Sequence, residues 1–342
     1  MTHSHLFLHV LVRWLDFITL VTLAGGLSYR QFVLVPLYRS LPGDSDRSFR
    51  LLMAVALFML SVTSMTDLVF RALMMSGRPA SELFSVLPTV LLKTHFGRVW
   101  VWRVGLLLLL FGFWFLQRGP RPWIRGYPVL LAGSGICLTT SLSGHAADLG
   151  SLTLTVFSDW IHIMAVSSWV GGLFFLRLHL PRWLDSLGGE TRTECLAAGI
   201  ERFSTVAVTS VGALIAAGAY NTWVHVHSPS LLVGTEYGKI LMLKWVLLGP
   251  MIFIGGVSRF YLLPRLEKKE GTTPSSFPAR WMRAIVETVW KRPDDSQLEG
   301  SFFRLITIEA VLGLAVLASS AWMTQLPPPH QISTAMEHSH LP

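Results

Sequence analysis

Charged residues are scarce in this chain of 342 residues: Asp, Glu, Lys and Arg together make up only 14% of it. A soluble domain usually carries about 25% charged residues, so the composition argues against a soluble globular protein. Hydrophobic residues make up 51%, and many apolar runs are long enough to cross a hydrocarbon core of about 30 Å. Because the runs are continuous rather than alternating, they argue against a β-barrel and predict an all-α, polytopic protein of the lipid bilayer.

Cysteine is scarce as well, and the common catalytic motifs are missing. Cys137 lies in an apolar run and Cys195 in a predicted loop, and neither belongs to a CxxC pair. This pattern argues against a disulfide framework and against a thiolate metal site. The sequence also lacks HExxH, GxSxG, GxGxxG and Walker motifs, so we do not expect an enzyme.

About eight membrane helices are predicted from the apolar runs, and the loops between them set their orientation. Lys and Arg concentrate in the loops after helices one, three, five and seven, whereas 144–160 and 325–342 contain none. By the positive-inside rule, both termini lie outside. The same loops account for the net charge of +8, so nucleic-acid binding is not expected. The predicted helices are 10–37, 51–76, 99–117, 127–143, 155–179, 204–224, 239–262 and 304–325.

The chain divides into three predicted parts. Residues 1–140 hold the first three helices and the start of the fourth, and 141–330 form a second transmembrane domain with a cytoplasmic loop at 263–303. Residues 331–342 form an external tail that contains histidine.

Two shorter segments carry their own patterns. In 279–291, Trp281, Ile285 and Val289 share one face beside basic residues, which predicts an interfacial helix. The segment 77–98 has an apolar middle and is compatible with a re-entrant or an interfacial position. Asp67 and Arg71 stand four residues apart on one helix and are expected to pair.

Histidine is distributed unevenly across the membrane. With the orientation given above, eleven of the 12 histidines fall on the outer side or near it, and only His179 falls on the cytoplasmic side. Imidazole is a common metal ligand, so such clustering indicates capture of a borderline or soft metal ion.

The densest group of candidate ligands surrounds the connection between predicted helices four and five. His145 lies at the outer end of the fourth helix, and His162 lies two turns into the fifth. Asp159 precedes His162 by three residues and shares its face. A carboxylate in this position holds one ring nitrogen and leaves the other for a metal. The alternative is that His162 bonds only Asp159 or a backbone carbonyl.

Further ligands are predicted at the outer ends of other segments. His225 and His227 form a His-x-His pair, whose side chains point the same way in an extended chain. His3 follows the N-terminal amine at a spacing that chelates Cu(II), and His5 lies close by. Six methionines in outer helix halves are candidate soft ligands for Cu(I), although each one singly is more typical of core packing. They are Met65, Met74, Met75, Met164, Met242 and Met323.

An ordered series of short motifs over about 140–330 resembles the copper resistance protein D (CopD) family. The motifs are Gly144-His145-Ala146, Asp159-Trp160-Ile161-His162, Trp169-Val170-Gly171-Gly172, Arg202-Phe203-Ser204, Gly218-Ala219-Tyr220-Asn221, Tyr237-Gly238-Lys239, Leu243-Lys244, Arg259, Glu309 and Pro327-Pro328. The first 140 residues resemble the family only in their pattern of spans and in a Gly-rich first helix.

The resemblance implies a copper-binding protein of the bacterial inner membrane that transports or takes up copper, as Cu(I) or Cu(II). It implies His145, Asp159 and His162 as motif residues, and a separate periplasmic partner of the CopC type. Spacing alone also allows zinc or haem. Two alternatives remain: a membrane scaffold for a periplasmic copper protein or copper enzyme, and a redox protein that binds b-type haem.

Overall fold

The computed structural model describes residues 3–38, 46–116, 126–144, 150, 153–185, 187, 189–226, 229–266, 277–289 and 297–326. Every regular element within these residues is a helix. The all-α class predicted from the apolar runs is therefore confirmed for the described part of the chain.

The helices follow one another with short connections, and three of them continue through a π-helical turn. In chain order the labelled helices are α1 (His3–Tyr29), α2 (Asp46–Ser76), α3 (Leu83–Lys93), α4 (His95–Leu116), α5 (Gly126–Leu142), α6 (Leu154–Val166), α7 (Gly189–His225), α8 (Pro229–Gly234), α9 (Glu236–Val257), α10 (Phe277–Val289) and α11 (Leu298–Met323). Short helical stretches at Val35–Tyr38, Gly172–Leu178, Leu180–Leu184 and Leu263–Leu266 continue the chain after α1, α6 and α9. The π-helical turns are Arg30–Leu34 after α1, Ser167–Gly171 after α6 and Ser258–Leu262 after α9.

Seven of the described helical segments are long and apolar enough to cross a membrane, namely those built on α1, α2, α4, α6, α7, α9 and α11. The apolar helix α5 has 17 residues and rises about 26 Å, close to the roughly 30 Å of a hydrocarbon core. Counting α5, the described chain has the eight membrane helices that the sequence predicts.

Some helices extend beyond the apolar runs that predict them. α7 begins at Gly189 rather than at residue 204, and Cys195 lies within this helix rather than in a loop. The added stretch is rich in Ala, Leu, Glu and Arg, which are good helix formers, so it stays helical where the apolar run has ended. Arg192 in this stretch donates to Glu299 of α11, with Nη2 and Oε1 2.8 Å apart.

The segment 77–98 contains a helix that the sequence analysis does not predict. Gly77 has a φ of 64°, a left-handed conformation that suits glycine and ends α2. A 3₁₀ turn, Ala80–Glu82, then leads into α3. α3 packs between α2 and α4 and forms a small apolar core of its own. The buried members of that core are Leu68, Ala72, Val86, Val90 and Phe96.

The amphipathic helix predicted at 279–291 is present as α10, but it buries a different face. Met282 and Val286 are buried, and the end of Met282 lies against Gly256 near the π-helical turn that follows α9. Trp281, which the pattern places on the apolar face, is 53% exposed. The bundle thus covers one apolar stripe and leaves the Trp281 side outward, so an interfacial location of this helix stays a prediction.

One guanidinium group connects four helices inside the bundle. Arg103 of α4 donates to both carboxylate oxygens of Asp16 in α1, at 3.0 and 3.2 Å. It also donates to Ser64 of α2 at 2.9 Å and to Thr140 of α5 at 3.0 Å. Removing one partner of such a buried pair typically costs about 3–5 kcal/mol, because the other charge is left uncompensated. Arg103 therefore fixes the relative positions of α1, α2, α4 and α5.

The predicted pair of Asp67 and Arg71 extends this buried cluster. Arg71 Nε donates to Asp67 Oδ2 at 3.1 Å, which confirms the pair. Arg13 of α1 lies 3.5 Å from the same carboxylate oxygen.

The first helix and α6 cross in direct backbone contact. A Cβ added at Gly171 would overlap the carbonyl oxygen of Val21, and one added at Gly25 would overlap the carbonyl oxygen of Ser167. Only glycine permits this approach, in the way that small residues allow close crossings of membrane helices. The contact lies at the π-helical turn after α6 and sets the position of α6, which carries Asp159 and His162.

Replacing Gly171 with Ala should destabilise the bundle, because its methyl group would meet backbone rather than a movable side chain. We expect a loss of about 1–3 kcal/mol, typical of overpacking, and a lower unfolding temperature in detergent by tryptophan fluorescence. Gly105→Ala is the matched control, since a Cβ at Gly105 meets nothing within 4 Å. Equal losses in the two variants would show that the crossing is not the cause.

The orientation predicted from the loops can be tested with two new cysteines. Ser81 follows α2 and Thr288 lies on α10, and both are exposed. In intact cells a membrane-impermeant maleimide should label Ser81→Cys, while Thr288→Cys should react only after permeabilisation. The parent chain is the control, because Cys137 and Cys195 are buried. The reverse labelling pattern would place the termini on the cytoplasmic side.

Candidate functional site

A cavity of about 230 Å³ lies between the membrane helices. Six helices contribute to its wall: α1, α5, α6, α7, α9 and α11. Its polar lining includes Asp159 and His162 from α6, Asn221 from α7, and Tyr237 and Lys244 from α9. Ionisable side chains within membrane spans are costly and usually face a cavity or a partner, so this cavity is the candidate site.

Local contacts orient α6 so that two of its polar side chains face the cavity. The Thr153 side chain caps the start of the helix. Trp160 donates from Nε1 to the backbone carbonyl of Ser134 in α5 at 3.0 Å, which fixes one face of α6 against α5. Asp159 and His162, three residues apart, both lie on the cavity face, as the spacing predicts.

His162 offers an uncommitted nitrogen. Its Nδ1 is buried and has no hydrogen-bond partner among the described residues. A Cβ added at Gly218 would lie 3.9 Å from this nitrogen, so the glycine leaves the ring uncrowded on the α7 side. Buried polar atoms are nearly always hydrogen-bonded, and an exception indicates a function such as ligand binding.

Asp159 and His162 line the same cavity without being bonded to each other. Within the described chain Asp159 makes no hydrogen bond to the His162 ring, so the role of Asp159 in orienting that ring stays a prediction. Asp159 instead interacts electrostatically with Lys244 of α9. The two groups form no salt bridge with each other, and both line the cavity.

The other predicted metal ligands are described only in part. His145 and His227 lie outside the described residues. Gly144, directly before His145, does line the cavity. His3 and His5 belong to α1 and His225 ends α7, but their side chains lie outside what the structure describes. Within the described ranges no group of three or more His, Cys, Asp and Glu side chains forms a metal site.

Only one of the six candidate methionines lines the cavity. Met323 of α11 does so. Met65, Met74 and Met75 of α2 lie on the outside of the bundle, each about half exposed. These three therefore do not belong to the described cavity wall, because helix depth alone does not set which way a side chain points, and their role as soft ligands stays a prediction.

Several residues around the cavity do not stand out in the sequence. Arg13 of α1 is 5% exposed and lines the cavity, and only its spacing of three residues from Asp16 hints at a buried role. Near the start of α1, His9 bonds through Nδ1 to the side-chain oxygen of Gln325, 2.7 Å away, and so connects the start of α1 to the residues that follow α11.

Two other notable polar groups lie away from the cavity. Glu309 of α11 is 2% exposed and accepts a hydrogen bond from Trp169 Nε1 at 2.8 Å. His179 is fully buried between the rings of Tyr29 and Phe49. Both belong to the interior of the described bundle rather than to the cavity wall.

The seven membrane-length helices and α5, six of which line a cavity that contains ionisable side chains, define a multi-pass helical membrane protein. Two family models match it: "Copper resistance protein D-like, N-terminal domain" over residues 1–154 and "Copper resistance protein D" over residues 197–323. Together these matches cover most of the chain, which belongs to the copper resistance protein D family. No solved structure matches the chain.

Three curated relatives are similar to this chain. Copper transport protein CutJ of Bacillus subtilis (strain 168) is 27% identical over 252 residues, which are 70% of this chain and 38% of CutJ. Inner membrane protein YebZ of Escherichia coli (strain K12) is 28% identical over 196 residues, 57% of this chain and 63% of YebZ. Copper resistance protein D of Pseudomonas syringae pv. tomato is 28% identical over 243 residues, 67% of this chain and 76% of that protein.

The chain therefore spans less than half of CutJ and under two thirds of YebZ. Its membrane helices, together with its family and the inner membrane relative, identify it as a multi-pass protein of the bacterial inner membrane.

Proposed function

We propose that this protein binds copper within the cavity and carries it across the inner membrane. Membership of the copper resistance protein D family and likeness to a copper transport protein support copper as the cargo. At this level the chain is a membrane protein of copper resistance and transport. None of the three relatives is named for a catalysed reaction, which favours a transporter over an enzyme.

The observation that carries the proposal is the free nitrogen of His162. Its Nδ1 is buried, has no partner among the described residues, and belongs to a side chain that lines the cavity. Imidazole nitrogen binds copper in either oxidation state. Because the buried nitrogen has no hydrogen bond, none has to be broken when it binds a metal. Asp159 adds a carboxylate on the same face, which offsets part of the charge of a bound cation.

His145 and Met323 are the proposed further ligands. Gly144 lines the cavity, and His145 directly follows it in the sequence. Met323 contributes a thioether to the lining, and the combination of thioether and imidazole suits Cu(I).

The remaining histidines are proposed to collect copper on the periplasmic side. Asn221 and Thr222 of α7 line the cavity, and His225 lies one helical turn further along, at the end of the same helix. His227 follows it in the sequence, and His3 and His5 stand at the start of α1. We propose that these residues receive copper from a separate CopC-like periplasmic protein and pass it to His162.

His162→Ala should remove copper from the purified protein. After matched copper loading in detergent, we expect this variant and the His145→Ala/His162→Ala double variant to lose about one equivalent relative to the wild type, by elemental analysis. His95→Ala is the control. His95 is exposed on α4, bonds the backbone carbonyl of Leu142 and does not line the cavity.

Unchanged copper in the double variant would move the site to the tails or to the His225 and His227 pair. Transport is then measured in proteoliposomes that contain a copper indicator. Copper binding without copper entry, together with stable co-purification of a periplasmic copper protein, would replace transport with the scaffold function.

Filling the space beside the His162 ring should also weaken binding without touching a ligand. Gly218→Leu places an isobutyl group against the ring, and we expect the dissociation constant for copper to rise about tenfold or more. Gly212→Leu is the matched control on the same helix, because a Cβ there meets nothing within 4 Å. If both variants bind copper like the wild type in a competition titration with a chelator, His162 is not a ligand.

A further inference from the structure

We infer that the cavity contains an anion-binding subsite at Lys244, with Arg13 as the second cation of the lining, so that copper is carried together with a small anionic ligand. The inference has two parts. The anion half, that a small anion binds in the cavity, rests on the structure alone. The copper half, that copper is carried together with this anion, rests on the proposed function.

Lys244 has no ion-pair partner in direct contact among the described residues. It lies in the middle of α9 and lines the cavity. It makes no salt bridge and no hydrogen bond to any described residue, and its electrostatic interactions are with Asp159 and His162 at longer range. Charged side chains within membrane spans are normally paired in direct contact, so a lysine that faces the cavity with its counter-charge only at longer range indicates a negatively charged ligand.

Arg13 is the second cation and has donors to spare. Its closest carboxylate contacts are 3.5 Å to Asp67 and 3.9 Å to Asp16, longer than hydrogen bonds. Those two carboxylates are engaged more closely by other donors, Asp16 by Arg103 and Asp67 by Arg71. No described residue accepts a hydrogen bond from the Arg13 guanidinium, which lines the cavity.

The charges in the cavity wall favour a copper complex over a bare copper ion. Among the described lining residues, Lys244 and Arg13 are cationic and Asp159 alone is anionic, so one positive charge is in excess. In the adjoining buried cluster, the charges of Arg103 and Arg71 are balanced by those of Asp16 and Asp67. A bare copper cation would add to the excess, whereas a copper ion with one or two anionic ligands would reduce it.

The size of the cavity agrees with this reasoning. Its volume is about 230 Å³, whereas a single water needs only roughly 10–15 Å³ by this kind of measure. The cavity therefore has room for a metal and a ligand of a few heavy atoms. The copper would lie at His162, and its anionic ligand between the copper and Lys244.

Chloride is the probe for the anion half, because ³⁵Cl line broadening detects its binding without any metal. The metal-free wild-type protein in detergent should broaden the chloride signal, and bromide should reverse the effect by competition. Lys244→Met and the near-isosteric Lys244→Gln should lose most of the broadening, while Lys244→Arg should keep it. Lys239→Met is the matched control on α9, since Lys239 is exposed and pairs with Glu236.

The outcomes separate the subsite from copper transport. Wild-type broadening that survives in both neutral Lys244 variants, or no broadening in the wild type, overturns the subsite even if copper binds. At least one neutral variant should keep the wild-type elution profile and unfolding temperature. If the chloride broadening is lost in that variant, the result supports the anion subsite, even if copper does not bind.

The copper half is tested by loading with Cu(II) at constant ionic strength in chloride, in acetate, and in the weakly coordinating methanesulfonate. If copper is carried with a halide or a carboxylate, the wild type should bind Cu(II) about tenfold more tightly in chloride or in acetate, respectively, than in methanesulfonate. Lys244→Met should show no such gain. Equal affinity in all three salts would show that copper binds as the bare ion.

Discussion

The contact between Arg103 and Asp16, in which one guanidinium nitrogen donates to both carboxylate oxygens, is the interaction on which the arrangement of the first helices depends. A guanidinium inside a membrane bundle is tolerated only when its donors are satisfied, and Arg103 finds acceptors on α1, α2 and α5. Apolar helices slide easily against one another, because lipid and side chains are equally apolar. A charged group with fixed hydrogen-bond directions removes that freedom and gives this half of the bundle a single register.

A second constraint acts where α1 crosses the π-helical turn after α6. Gly25 and Gly171 bring two backbones together, and Trp160 fixes α6 against α5 on another side. With α6 held on both sides, its residues Asp159 and His162 face the cavity. The cavity thus follows from the packing of its walls, and His162 lies there because other residues of the same helix are engaged elsewhere.

The sequence predicts well those features that depend on one segment at a time. Apolar length predicts the eight membrane helices, and helical spacing predicts that Asp159 and His162 share a face and that Asp67 and Arg71 pair. Features that depend on how segments meet are not predictable in this way. Met65 and Met74 have the expected depth but point away from the bundle, and α10 buries Met282 rather than Trp281. Arg13 and Lys244 are distant in sequence, and only the tertiary fold brings them to one cavity.

The cavity is also shared between the two segments that the family models recognise. α1 and α5 come from the first segment, α7, α9 and α11 come from the second, and α6 lies largely between them. Neither segment encloses the site alone. Exchanging one segment between two family members would therefore join cavity-lining residues from one protein to those from another. The two halves of the chain must be inherited as a pair, and a change in the lining of one is expected to require a compensating change in the other.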